Sequence, residues 1–124
     1  MGPFRLSKAL FGALSASARI GRGAVVINIS SGAAITPYSG WGAYGASKAA
    51  LRHMTAIWSE EARAEGISFL SVDPGDMDTP LHALAVPDAD RTTLKRPDDA
   101  ALEMIRSLIA ALPSDAIRQG VERV

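Results

Sequence analysis

The run Ala24–Ile29 (AVVINI) constrains this chain more than any other stretch. It has the length of one strand, is rich in β-branched residues, and is almost unbroken by polar side chains. A strand with one wet face alternates apolar and polar residues. A nearly continuous apolar run suits a strand buried on both faces, which is the condition of a parallel sheet. Parallel strands cannot be joined by tight turns, so helices must carry the crossovers.

The rest of the chain supplies that alternation. Phe4, Leu6, Leu10, Phe11 and Leu14 form a helical stripe over about residues 3–18, ended by Gly21-Arg22-Gly23. Residues 30–40 are a polar, Gly/Pro-punctuated loop. From Trp41 to about Glu65 the residues are Ala, Leu, Met, Lys and Glu, which predicts a helix with Gly66 as its C′ glycine. Ile67–Val72 (ISFLSV) predicts a second strand, stopped by Asp73-Pro74-Gly75, and residues 76–96 read as loop. Pro97 at N1, with Asp98 and Asp99 in the first turn, opens a helix to about Leu112. Its apolar positions are Ala101, Met104, Ile105, Leu108, Ile109 and Leu112. Gly120–Val124 is a possible short final strand. The order is α-β-α-β-α: a partial doubly wound, Rossmann-type α/β parallel sheet in which residues 1–124 form a single partial domain. Two strands are fewer than a stable parallel sheet usually has.

Charge and composition exclude several classes of function. Thirteen Lys and Arg balance thirteen Asp and Glu, against the basic excess of a dedicated nucleic-acid binder. The balance hides a split. Residues 1–59 hold six bases and no acid, and residues 60–124 hold all thirteen acids with seven bases. The absence of cysteine removes disulfides, thiolate metal sites and a cysteine nucleophile. No run approaches 18 apolar residues, so no membrane span is predicted. The basic start, followed by Ala9–Leu14 and Ala16-Ser17-Ala18, imitates a targeting leader. Its apolar stretch is shorter than the roughly 7–15 residues of a secretory signal. A mitochondrial presequence has a similar composition, but the apolar stripe favours an ordinary helix and a cytoplasmic location.

Three groups lie between the first strand and the second helix. Ser31 follows the C-terminal end of a strand, where open α/β sheets place their ligands. Tyr44 and Lys48 are four apart on one helix face. A phenol is a poor acid or base near neutrality, its ordinary pKa being about 10. A cation beside it stabilises the phenolate, by on the order of 4 kcal/mol at ~4 Å and an effective dielectric of ~20. The pair is therefore a candidate proton-transfer device. Taken alone, Tyr-x-x-x-Lys is also a common surface pair.

The stretch Val25-Val26-Ile27-Asn28-Ile29-Ser30-Ser31, followed by Tyr44-Gly-Ala-Ser-Lys48, resembles the short-chain dehydrogenase/reductase family. So do Pro74-Gly75-Asp76-Met77-Asp78-Thr79 and the opening helix, and the resemblance covers roughly residues 1–112. It implies hydride exchange between NAD or NADP and an alcohol or carbonyl substrate. By it Tyr44 is the acid/base, Lys48 activates it and contacts the nicotinamide ribose, and Ser31 orients the substrate oxygen. Pro74, Gly75, Met77 and Thr79 would line the nicotinamide site. The resemblance also implies a homo-oligomer through helices 3–18 and 42–65, with Leu10, Leu14, Met54 and Trp58 as candidate contacts. The family's glycine-rich cofactor half and its helix asparagine have no counterpart here, so the chain reads as the catalytic half. The competing reading is an inactive truncated remnant serving as a dimerising or scaffold module. If this is the whole polypeptide, the expectation is no useful turnover.

Gly40-Trp41-Gly42-Ala43-Tyr44-Gly45 mimics a dinucleotide fingerprint, with Glu65 twenty residues beyond it. It does not follow a strand directly, and Glu65 belongs to a helix, so it is rejected; its glycines fit a crowded helix start. His53 and His82 lack partners at ligand spacing and read as surface or packing residues, with no metal expected. Asp73, Asp76 and Asp78 lack the glycine and distal glutamate of a calcium loop and read as turn and cap residues. Trp41, Trp58 and Met54 read as core or interface. Leu81–Val86 is an apolar stretch that suggests a substrate lid, with ordinary packing as the alternative.

Overall fold

The computed structural model describes residues 1–113. Helix α1 (Gly2–Arg19) leads into β1 (Ala24–Ile29), then α2 (Gly42–Glu61), β2 (Ile67–Val72), a short α3 (Pro80–Ala85) and α4 (Pro97–Ala111). The strands pair in parallel, from Ala24 opposite Ile67 to Ile29 opposite Val72. That pairing needs a crossover, and α2 supplies it. A 3-10 turn at Arg63–Glu65 follows α2, and Gly66, in left-handed conformation, ends it as a C′ glycine should. The possible strand at 120–124 lies outside the described residues.

Both strands fall where the sequence places them; the buried faces of two helices match it only in part. On α1 the buried residues are Ser7 and Ser15, while Phe4, Leu6, Leu10 and Phe11 stay substantially exposed. Small side chains let the helix approach the sheet, and the large apolar ones flank the contact. On α4 the inward positions are Ala100, Met104, Leu108 and Leu112, with Ile105 and Ile109 exposed. Apolar residues on more than one face of each helix make the stripe ambiguous to spacing alone.

The core is small. Ala24, Ala62, Ile67 and Phe69 are buried together, and Leu14, Ala18, Val26 and Trp58 pack onto them. Leu14 and Trp58 therefore spend their apolar surface at least partly on this core. Trp58 stands between Phe69 and Phe4, with ring centroids at 5.3 and 5.4 Å. A polar tie joins strand to crossover helix: Asn28 Nδ2 donates to Thr55 Oγ1 at 2.9 Å, in a buried setting. Thr55 spends its own proton on the Leu51 carbonyl, at 2.7 Å.

The segment 76–96 is a correction to the loop expected there. Thr79 caps α3 by accepting the His82 N–H at 3.1 Å, and Pro80 enters the first turn. Six residues are too few for periodicity to reveal such a helix. The base of this excursion is closed by a bridge pairing Met77 with Lys95 and by a two-pronged contact from Arg91 to Asp78, at 2.9 and 3.0 Å. Among the described residues, no helix is long and apolar enough to cross a membrane.

Candidate active site

A cleft of about 670 Å³ opens at the C-terminal ends of β1 and β2. Ser31, Tyr44, Lys48, Pro74, Gly75, Met77 and Thr79 all line it. Each reaches it for a local reason. Ser31 leaves the end of β1 and caps a 3-10 turn, its Oγ accepting the Ala33 N–H at 3.2 Å. That leaves its own proton and a second lone pair for another partner. Tyr44 sits in the first turn of α2, 44% exposed. Lys48, one turn on, reaches back to β1, where Nζ donates to the Ile29 carbonyl at 2.8 Å. This holds the ammonium 5.7 Å from the centroid of the Tyr44 ring.

The close approach of α2 to the Ser31 turn depends on Gly45. A Cβ there would lie 3.0 Å from the Ala33 carbonyl oxygen, too near for comfort. Of the glycines in the fingerprint mimic, only Gly45 serves this packing: Gly40 has φ 82° and belongs to a turn, and a Cβ on Gly42 would meet nothing within 4 Å. Glu65, the acid of that mimic, lies in a 3-10 turn and bonds Ser15 and Arg19.

The second wall comes from the β2 exit. Asp73 Oδ1 accepts the Gly75 N–H at 2.9 Å, a turn role, and Gly75 has φ 76°, a conformation side chains rarely adopt. Backbone can therefore approach a ligand closely here. This wall and the Lys48 ammonium fit the nicotinamide-ribose end of a dinucleotide: a flat ring against backbone, hydroxyls near a donor. Among the described residues, no glycine-rich turn directly follows a strand to hold a pyrophosphate.

Two cleft residues escape sequence reasoning. Trp41, expected in core or interface, lines the cleft and meets Tyr44 edge-on at 5.6 Å and Tyr38 at 5.8 Å. His82, expected on the surface or in packing, enters from α3 together with Leu81 and Ala85. No motif spacing marks either; for His82 the hints are the Leu81–Val86 stretch that contains it, read as a candidate lid, and the helix cap Thr79-Pro80 just before it. Leu81 and Leu84 are largely exposed, and Leu81 lines the cleft. His53 is exposed, and the described residues contain no cluster of potential metal ligands.

Fold and cleft together define an α/β protein of the Rossmann type. A short chain dehydrogenase from Salmonella enterica serovar Typhi superposes with TM-score 0.70 at 29% identity, over 78% of this chain and 38% of that one. The short chain dehydrogenase profile matches residues 1–90. The chain is 31% identical over 105 residues to the sepiapterin reductase of Xenopus laevis, covering 77% of this chain and 39% of that protein. It is 44% identical over 61 residues to the benzil reductase ((S)-benzoin forming) of Bacillus subtilis, covering 48% of this chain and 25% of that protein. The chain belongs to the short-chain dehydrogenase family and so to a family of oxidoreductases. It spans well under half the length of these relatives.

Proposed function

We propose that this chain contributes the catalytic half of a nicotinamide-dependent oxidoreductase that interconverts a carbonyl compound and its alcohol in the cytoplasm. The observation that carries the reading is the meeting of Ser31, Tyr44 and Lys48 in one cleft with the Pro74–Thr79 wall. Ser31 holds the substrate oxygen through its free O–H. Tyr44 gives that oxygen its proton in reduction and takes it back in oxidation. The Lys48 ammonium stabilises the negative charge that the phenol oxygen then carries, and its remaining N–H groups face ribose hydroxyls. A bound NAD or NADP supplies or accepts the hydride. Pro74, Gly75, Met77 and Thr79 position the nicotinamide, and sequence outside the described site holds the rest of the dinucleotide. The names of the relatives favour a carbonyl next to an aromatic or heteroaromatic group as substrate. Self-association through α1 and α2 completes the proposal, consistent with the exposed Leu10 on α1.

The test is titration of NADH and NADPH against the chain, followed by nicotinamide fluorescence. The expected result is saturable binding of at least one of them, weakened by Lys48→Ala. No binding by the chain, with none restored when a cofactor-binding half is joined to it, would leave the scaffold reading standing; no binding alone but activity restored by that half would support the catalytic-half reading.

A further inference from the structure

His82 is a half-buried titratable group that the mechanism above does not use. Its side chain is 15% exposed and belongs to the cleft that holds Tyr44 and Ser31. Among the described residues, its Nδ1 is the one buried side-chain nitrogen or oxygen without a hydrogen-bond partner. Native structures leave few such atoms unsatisfied, and each asks for an explanation. The other ring nitrogen, Nε2, lies 3.8 Å from Oδ1 of Asp76, whose carboxylate is 85% exposed. In a neutral imidazole only one nitrogen carries the proton. A carboxylate beside Nε2 favours the proton there, which leaves Nδ1 as a bare acceptor. The partner it lacks is therefore a donor, and a hydroxyl is the smallest donor that suits a mostly apolar cleft.

The rest of the wall sets the shape of what carries that hydroxyl. Trp41, edge-on to Tyr44, offers an aromatic surface beside the reacting groups, and Leu81, Ala85 and Ile29 add apolar area. Leu81 and Leu84 are 77% and 82% exposed, so a small adjustment of α3 toward a ligand costs little burial.

We infer that His82 selects the substrate, and that the substrate is a hydroxy ketone, or the corresponding diol, with a flat aromatic or conjugated face. The inference rests on the oxidoreductase reading of the cleft. The hydroxyl donates to Nδ1 after a small turn of the side chain, and the flat face lies against Trp41. Asp76 acts by fixing the tautomer, and Thr79 by anchoring the His82 backbone.

Two probes of similar shape isolate the donor: 2-hydroxyacetophenone, and 2-methoxyacetophenone, which keeps the oxygen but has no proton to give. Histidine-selective NMR of the chain is the readout, because His53 and His82 are its two histidines and exposed His53 serves as an internal reference. The hydroxy ketone should bind about 5-fold more tightly, the effect of one ordinary hydrogen bond, and move the His82 resonances while leaving His53 unchanged. His82→Phe should erase the preference, and His82→Asn, which keeps an acceptor near the Nδ1 position, should restore part of it. Equal affinity for both ketones, or a preference that survives His82→Phe, overturns the inference. If a dinucleotide binds but the ketones are not distinguished, His82 loses this role and the oxidoreductase reading stands. If neither dinucleotide and neither ketone binds, even with a cofactor-binding half joined to the chain, both readings fall.

Discussion

Replacing Thr55 by Val tests how α2, which carries Tyr44 and Lys48, is held to the sheet. The change keeps the shape of the side chain and removes one oxygen. That oxygen is the acceptor for Asn28 Nδ2 across the β1–α2 interface, at 2.9 Å. Thr55 is 2% exposed and Asn28 8%, so water cannot readily replace the lost partner. Leaving a buried amide donor unpaired costs about 1–3 kcal/mol. With a urea dependence of roughly 2 kcal/mol per molar for a small protein, a loss of about 2 kcal/mol lowers the unfolding midpoint by about 1 M. Asn28→Leu alone removes the donor and is expected to cost less. The double variant should cost less than the two singles together, because neither leaves the other unsatisfied. Urea titrations of the four proteins, followed by far-UV circular dichroism, measure the cycle. A Thr55→Val midpoint equal to wild type would refute the reasoning, and so would strict additivity in the double variant. Tyr44 and Lys48 lie on the same helix, so ring resonances of Tyr44 should also shift in Thr55→Val.

The remaining predictions concern surface electrostatics. The Ser15 hydroxyl, then the hydrogen bond and charge of Arg19, hold the Glu65 carboxyl below its ordinary value of 4.5. A depressed carboxylate stabilises the fold above its unfolded value, and that contribution disappears as pH falls through the folded one. Ser15→Ala should therefore raise the Glu65 titration midpoint toward 4.5, read by carboxyl-carbon NMR, and flatten the loss of stability below 4.5; an unmoved midpoint would contradict this. Arg91→Ala should open the base of the α3 excursion, seen as faster amide exchange at 79–86. Because Arg91 is largely exposed, its global cost should stay below about 1 kcal/mol. Unchanged exchange would show that the Met77–Lys95 bridge closes the excursion by itself.

How much of this was legible in the sequence depends on the kind of signal each part leaves. β1 and β2 were legible because short, dense apolar runs bounded by glycine and proline have few alternatives. Ser31, Tyr44 and Lys48 stood out as a trio through the resemblance of their spacing to the family's pattern, since strand end and helix face alone leave Tyr44 and Lys48 a common surface pair; the structure brings all three to one cleft. The inner faces of α1 and α4 were legible only in part: Leu14, Met104, Leu108 and Leu112 turn inward as their apolar character suggests, but the most buried positions are Ser7, Ser15 and Ala100, which hydrophobicity does not mark. α3 is a single capped turn and a half, below the reach of periodicity. Trp41 and His82 enter the cleft from a helix start and from that unseen helix, so their meeting with Tyr44 exists only in three dimensions.

The central claim is that Tyr44 moves the proton while hydride is exchanged in this cleft. Reduced nicotinamide mononucleotide, deuterated at C4, needs only the nicotinamide-ribose end proposed for this cleft. Incubated with the chain and 2-hydroxyacetophenone, it should give the deuterated diol faster than in buffer, and Tyr44→Phe should lose most of that rate, on the order of 100-fold or down to background. Transfer no faster than in buffer, or undiminished in Tyr44→Phe, would contradict the account.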